Sequence, residues 1–392
     1  MKIIYSSSAI GSVAALAKTL DVSEDYLKKV ALSPSDFYSI TEIPKKTGGF
    51  RVISDPTKEL KIVQRRIVRR IFSKCKFPDY LFGSIKDEEN PRDFVRNAEY
   101  HKDAKEVMAF DIEAFFPSTQ SRFVKKVFKF LFNFPSEVAE MLVQLTTLND
   151  SLPQGAPTSS YISNFIFYNR EHQLVQTFKD KGLTYSRLID DITVSSKKII
   201  GKEQRSFIYA QILGMVSEKK LKINKDKYQV TNTDTIGQKT IVTGLVVEDQ
   251  TVKLPKDKIK AIGKMVYELK NKAEVDTTEA TYHKLFGTAS GLVALYSRLD
   301  QKKSVEYRQC LREILPTYHS KKIKKIGWLC RKFIEYAKAH KHQFSEEGYA
   351  KKYHKFRHKI SILRRTNRKL AISLDKELIP LKPLRLLASY HE

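Results

Sequence analysis

Apolar and polar residues alternate along residues 185–195, YSRLIDDITVS, and the alternation breaks in the middle for two adjacent aspartates, Asp190 and Asp191. The pattern predicts a β-hairpin carrying an acidic pair. A second two-residue period, in ITEIPKKTGGFRVISDP (residues 40–56), predicts two short strands joined at Gly48-Gly49, with Lys45, Lys46 and Arg51 flanking the turn. Helical spacing of Leu60, Val63, Ile67 and Ile71 follows, with Gln64, Arg65, Arg66, Arg69 and Arg70 on the other faces. This is a basic amphipathic helix whose charges suit a nucleic-acid backbone.

The same reading covers the rest of the chain. Leu16, Leu20, Leu27 and Val30 predict an N-terminal helical element capped near Asp21 or Ser23. Residues 107–110 form an apolar strand that runs straight into Asp111, and residues 123–148 read as helical, with Phe128, Phe130, Phe132 and Phe134 in the core. LPQGAPTSSYISN (residues 152–164) predicts a tight turn into a helix capped by Thr158, Ser159 or Ser160, with backbone amides free to face a phosphate or base pair. Residues 206–227 read as a helix, a strand at LKIN and a basic corner at Lys225–Lys227. IVTGLVV (residues 241–247) reads as a strand interrupted by Gly244, and Pro255 opens a new helical segment.

Composition narrows the partner. The chain has 71 Lys and Arg against 44 Asp and Glu, a net charge of +27, which points to a polyanion such as nucleic acid. No stretch approaches the ~18 uncharged apolar residues of a membrane span. Cys75, Cys310 and Cys330 lie far apart without CxxC spacing, which fits a reducing, cytoplasmic setting. Serines interrupt the apolar run at the N-terminus, so it is read as structure rather than a signal peptide. Between residues 321 and 370, 17 basic residues face three acidic ones. Ile323, Ile326, Cys330, Phe333 and Ala337 predict one helix there, and Tyr349, Tyr353, Phe356, Ile360, Leu363 and Leu370 a second, separated near Gly348. The periodic aromatics read as a packing stripe, leaving the basic faces for phosphates.

The acidic residues carry the chemistry. Two carboxylates ~4 Å apart repel by roughly 4 kcal/mol at an effective dielectric near 20, so a half-buried pair calls for a cation. Asp111, at the end of a buried strand, is either a helix cap or a third ligand. Three such carboxylates can hold two Mg²⁺ ions.

Several stretches, in order and in spacing, resemble the reverse-transcriptase family, most closely the retron reverse transcriptases of bacteria, over roughly residues 40–315. Asp111 with IEAFFPS resembles the first metal-binding motif, LPQGAPTS the substrate-side turn and LIDD the YxDD hairpin. Asn97, Ala98 and His101 match an NAxxH motif, and Val242, Thr243 and Gly244 a VTG motif.

The resemblance implies an α+β, right-hand polymerase fold. Its parts would be an N-terminal helical element (1–39), fingers and palm with an antiparallel sheet (40–250), a helical thumb (251–316) and a basic helical extension (317–392). It implies an RNA-directed DNA polymerase with Asp111, Asp190 and Asp191 as catalytic ligands of two Mg²⁺ ions. Lys45, Arg51, Phe115, Gln154 and Lys227 would contact the dNTP, with adjacent Phe116 open to confusion with Phe115. Asn97, His101, Val242, Thr243 and Gly244 would serve recognition of a cognate non-coding RNA (msr-msd), His101 in a structural or RNA-contact role. Priming from an internal guanosine 2′-OH would yield msDNA, in antiviral defence with a separate effector protein. Other bacterial reverse transcriptases and a non-catalytic nucleic-acid scaffold are the competing readings. The family's YxDD tyrosine is Leu188 here, which bears on primer positioning, processivity or fidelity more than on the metal site, since all three aspartates are present.

Overall fold

The computed structural model describes residues 1–45, 48–87, 89–235, 238–345 and 347–384, so Lys46 lies outside the described residues. The chain divides into two compact units, Met1–Lys253 and Leu254–Glu392.

In the first unit a short strand, β1 (Ile4–Tyr5), precedes helices α1 (Val13–Leu20) and α2 (Glu24–Leu32). Both residues expected as caps act: Asp21 closes α1 at φ 56°, and Ser23 opens α2 by accepting the Tyr26 amide. Strands β2 (Tyr38–Pro44) and β3 (Phe50–Pro56) pair antiparallel as a separate ribbon, with Ile43 opposite Arg51. Helix α3 (Lys58–Arg70) buries Leu60, Val63 and Ile67, as its spacing predicts. Its cations do not all face outward. Arg66 donates to the Leu20 and Asp21 carbonyls and Arg70 to that of Thr19, so both guanidinium groups cap the C-terminus of α1 rather than stand ready for a nucleic-acid backbone.

The chain continues through β4 (Cys75–Lys76), which pairs with β1, then β5 (Leu81–Phe82), α4 (Phe94–Tyr100) and β6 (Glu106–Asp111). Helices α5 (Phe115–Ser118), α6 (Ser121–Lys126) and α7 (Ser136–Thr146) follow. The single helical stretch expected over residues 123–148 is therefore broken: a π-turn at Val127–Leu131 follows α6, and Pro135 sits at the start of α7. Phe128, Phe132 and Phe134 are core, but Phe130 is exposed. Then come α8 (Ser159–Phe165), with Thr158 at its cap position, α9 (Glu171–Asp180), β7 (Leu183–Leu188), β8 (Asp191–Ser196) and α10 (Lys202–Ser217). Strands β9 (Gln229–Asn232), β10 (Ile241–Val242), β11 (Leu245–Glu248) and β12 (Thr251–Lys253) complete the unit.

Five strands form the central sheet in the order β5-β7-β8-β6-β9, antiparallel except for β5 with β7. Elements pack on both faces, so even the polar positions of its middle strands are buried: Ser186, Arg187, Thr193 and Ser195 have almost no exposed surface. The alternation in residues 185–195 thus marks a hairpin but not a solvated face. LKIN forms no strand; it contributes a single bridge, Ile223 to Ile112, before a 3₁₀ turn at Lys225–Lys227. Residues 241–247 are likewise two strands, because Thr243 (φ 46°) and Gly244 (φ 77°) reverse the chain between β10 and β11.

The second unit is helical: α11 (Lys256–Val275), α12 (Ala280–Leu299), α13 (Gln301–Glu313), α14 (Ser320–Ala339), α15 (Glu347–Leu363) and α16 (Arg368–Leu378). Ile326, Cys330, Phe333, Ala337, Tyr349, Tyr353, Ile360 and Leu363 form the expected stripe. A third helix, α16, completes that core through Ala371, Leu374 and Leu378, where two helices were expected. Its buried Asp375 receives Arg357 and Arg364. No helix among the described residues is long and apolar enough to cross a membrane.

Candidate active site

Strand β6 carries a buried carboxylate at each end, and their surroundings differ. Glu106 is fully buried and takes Arg205 Nε and Nη2 at 2.6 and 2.8 Å and the Ile200 amide at 3.2 Å, so its charge is satisfied by the fold. Asp111, at the other end, lies in register with Asp191 across β6 and β8. Asp190 is tied alongside, its carbonyl accepting the Ile112 amide at 3.0 Å. Three acidic groups therefore meet at one edge of the sheet. Burial first, then the Asp190 and Asp111 charges, raise the Asp191 carboxyl to about 6, against the pull of Lys227. Asp190 shifts in the same direction, by burial first and opposed by its own amide, with Asp111 adding to the rise and Lys227 and Arg51 offsetting it.

Lys227 is the cation already at this edge. Its Nζ donates to Asp111 Oδ1 at 2.8 Å, and it arrives on the 3₁₀ turn that Asn224 fixes by accepting the Asp226 amide and donating its own amide to the Asp111 carbonyl. The Asp111 bond raises the Lys227 pKa, opposed by burial. Among the described residues no three His, Cys, Asp or Glu side chains converge tightly enough to chelate an ion as they stand, and Asp111 is turned onto Lys227 instead. The donor set nonetheless fits a hard divalent cation: three carboxylates, two of them with raised proton affinity, at a position that already holds an ammonium group.

The tip between β7 and β8 consists of Ile189 and Asp190. Ile189 has φ 60°, a left-handed conformation that costs a β-branched residue roughly 1–2 kcal/mol. The tip leaves no room beneath it. A Cβ on Gly83 would sit 2.9 Å from Leu188 Cδ1 and 3.1 Å from Ile189 Cγ1, so glycine there lets the strand pass under the hairpin. Leu188, at the position of the missing tyrosine, packs on this glycine.

Of the other expected nucleotide contacts, Arg51 is exposed on β3 within electrostatic reach of Asp190, and Lys45 is exposed at the turn of the same ribbon, its amide bonded to the Gly49 carbonyl. Gln154 is partly exposed, and its carbonyl accepts the Ser54 amide at 2.8 Å, docking the LPQG turn on β3. A Cβ on Gly155 would come within 3.2 Å of the Ser54 carbonyl, and its φ of 118° admits glycine almost alone. Phe115 does not reach this surface. It is 2% exposed and stacks on Phe167, 6.0 Å between centroids and 6° between planes, whereas Phe116 is only partly buried.

Comparisons with known proteins give this geometry its family. Residues 43–277 match the family model described as reverse transcriptase (RNA-dependent DNA polymerase). Over 388 residues the chain is 33% identical to the retron Se72 reverse transcriptase of Salmonella heidelberg, covering 97% of this chain and 99% of that protein. The chain is a retron-type reverse transcriptase. The retron Ec48 reverse transcriptase of Escherichia coli is 32% identical, over 97% of this chain and 94% of its own length. The retron Ec86 reverse transcriptase, also of E. coli, is 26% identical over 65% of this chain and 77% of its own length.

The NAxxH and VTG stretches of this reverse transcriptase come together in space. Thr243 Oγ1 donates to the Phe94 carbonyl in the first turn of α4 at 3.0 Å, across 149 residues of sequence. At the other end of α4, buried His101 bonds Ser195 through Nδ1 and Ser186 through Nε2, both at 2.7 Å. Burial pushes its pKa down to about 3, so it stays neutral. Asn97 and Val242 are buried as well. Asn97 and His101 thus face the protein interior, while Thr243 lies at the surface.

Sequence reasoning missed Arg187 and Glu171. Arg187 read as a polar residue of an alternating strand, yet it is completely buried. Its only sequence signal was a long cation beside the acidic pair; Glu171, 16 residues upstream, gave none.

Proposed function

We propose that this reverse transcriptase copies a cognate structured RNA (msr-msd) into msDNA, primed from an internal guanosine 2′-OH, within a right-hand arrangement of fingers, palm and thumb. The observation that supports it best is the register of Asp111 with Asp191 at one end of the middle strands, with Asp190 beside them in the turn and Lys227 on Asp111. The three aspartates would hold two Mg²⁺ ions, which when bound supply activation of the primer hydroxyl and neutralisation of the leaving pyrophosphate. Lys227 delivers positive charge, and a proton, beside Asp111 as pyrophosphate departs. Lys45 and Arg51 grip the triphosphate and Gln154 lies by its sugar. The burial of Phe115 moves the contact with the sugar's 2′ position to Phe116, with Phe115 as the ring behind it.

Thr243 and Gly244 present the VTG turn to the RNA. Asn97, His101 and Val242 act from beneath, by holding α4 and β10 in place. The basic helices of residues 317–392 bind RNA or msDNA phosphates; the alignments with the Se72 and Ec48 enzymes run through most of this region. The enzyme works in the cytoplasm and serves antiviral defence with a separate effector protein. Incubating the protein and its co-purifying RNA with dNTPs and Mg²⁺ tests this reading. A branched DNA whose RNA portion is RNase-sensitive is expected; a linear product, or none with any template, overturns it.

A further inference from the structure

We infer that the buried Arg187–Glu171 pair is the positioning device of the catalytic hairpin, fixing the strained Ile189 turn from which Asp190 projects. The inference rests on the reading of Asp190 as a metal-binding, catalytic residue. Every N–H of the Arg187 guanidinium is engaged: Nε with Glu171 Oε1 at 2.6 Å, Nη1 with the carbonyls of Ser163 and Ile189 at 3.3 and 3.0 Å, and Nη2 with the Asn164 carbonyl and Glu171 Oε2 at 3.1 and 2.8 Å.

Three bodies therefore meet on one planar group. Glu171 opens α9, the Ser163 and Asn164 carbonyls end α8, and the Ile189 carbonyl belongs to the peptide that leads into Asp190. Tyr185 also donates to Glu171 Oε1 at 2.7 Å, so the carboxylate is held on two sides. The guanidinium lies over the Phe167 ring at 5.2 Å, and Phe167 stacks on Phe115. One side chain thus connects the tip, the helix after the LPQG turn and the aromatic pair beside Asp111. A fork of this kind fixes direction as well as distance, which a lysine's single ammonium does not. A buried pair adds little net stability over apolar residues of similar volume, whereas loss of one partner leaves an uncompensated charge. Its distinctive contribution here is the bond to the Ile189 carbonyl.

That separation gives the test. Arg187→Lys alone and the double variant Arg187→Met with Glu171→Leu are made in the full chain with its co-purifying RNA. Melting temperature, hydrogen exchange of the segment containing residues 188–191, and kcat and KM for dNTP are measured. The double variant removes both charges, so it is expected to fold, with a melting temperature lowered by the Ser163, Asn164 and Ile189 carbonyls and the Tyr185 hydroxyl that it leaves without this partner. Its hairpin tip exchanges faster and kcat falls roughly tenfold to a hundredfold, with dNTP KM nearly unchanged. Adding Ile189→Gly, which relieves the positive φ, recovers part of kcat. A double variant that folds with native exchange at the tip and full kcat, whatever its melting temperature, overturns the inference. If the double variant does not fold, Arg187→Lys decides: faster exchange confined to the tip with reduced kcat supports it, and an unchanged tip overturns it. Asp190→Asn made in parallel separates the two ideas, because full DNA synthesis by that variant removes the reading beneath the inference.

Discussion

Two hairpins of the first unit turn through a β-branched residue at positive φ, and they are secured in opposite ways. The β7–β8 tip turns at Ile189, and a fully buried guanidinium takes its carbonyl from below. The β10–β11 tip turns at Thr243, at the surface, and its own hydroxyl reaches across to the Phe94 carbonyl. A strained turn persists only where its surroundings over-determine it, and the two solutions differ in what they leave exposed. The first turn carries carboxylates at its tip, and the guanidinium that takes its carbonyl is hidden beneath it. The second offers its backbone and a hydroxyl already engaged, with its support in the helix alongside. The acidic tip is thereby set by a buried ion pair beneath it, and the proposed RNA-facing turn is tied at the surface through the Thr243 hydroxyl.

The largest way to break this contrast is at the first tip. Asp190→Asn should lower DNA synthesis by about 10²-fold or more while the melting temperature holds or rises, since it removes a carboxylate whose ionised form burial and Asp111 disfavour. Retained synthesis would mean that the acidic tip is not the reacting centre.

Next in size is the link between the hairpins. Burial lowers the His101 pKa from its ordinary 6.5 to about 3. Between those values the unfolded chain binds a proton that the folded chain refuses. Its contribution to stability is therefore complete above pH 6.5 and is lost as pH falls, by about 2 kcal/mol between pH 6.5 and 5 and further toward pH 3. Urea midpoints for the wild type and His101→Gln should diverge at pH 7 and converge on acidification; parallel curves would remove His101 from the account.

Thr243→Val is expected to cost about 1 kcal/mol locally, by removing the hydroxyl's bond to the Phe94 carbonyl. Initiation on the cognate RNA should fall several-fold, and extension of an annealed primer on an unrelated template should fall less. Equal losses in both assays would argue against a role in recognising the RNA. The smallest effect is expected for Leu188→Tyr. Leu188 contributes packing on Gly83 and no bond to the carboxylates, so kcat should stay within about threefold, the scale of an ordinary surface substitution.

Much of this was legible in the sequence because it is local. The alternation at residues 185–195 marked the hairpin that carries Asp190 and Asp191, and the run into Asp111 marked its partner strand. The apolar stripe of the second unit emerged from spacing alone. What was hidden depends on partners far away in the chain. Arg66 and Arg70 looked like phosphate ligands because the carbonyls they cap lie 46 and 51 residues earlier. Arg187 read as one more polar residue of the strand because its partner Glu171 lies on α9, 16 residues upstream. Phe115 and Phe116 have the same chemistry, and only packing on Phe167 distinguishes them. LKIN has strand composition, but β9 already takes Glu106 to Ala109 on that side of β6, which leaves LKIN only the strand's end and one bridge.

Helix α4 has a consequence for exchanging parts between related enzymes. Its seven residues end on Thr243 at one side and on Ser186 and Ser195, through His101, at the other. A graft of residues 241–248 alone would set a foreign turn on a native helix, and a graft of residues 93–101 alone would refit the β7–β8 hairpin to a foreign histidine. The smallest transferable cassette is both segments with the two serines, three pieces of chain that behave as one heritable part.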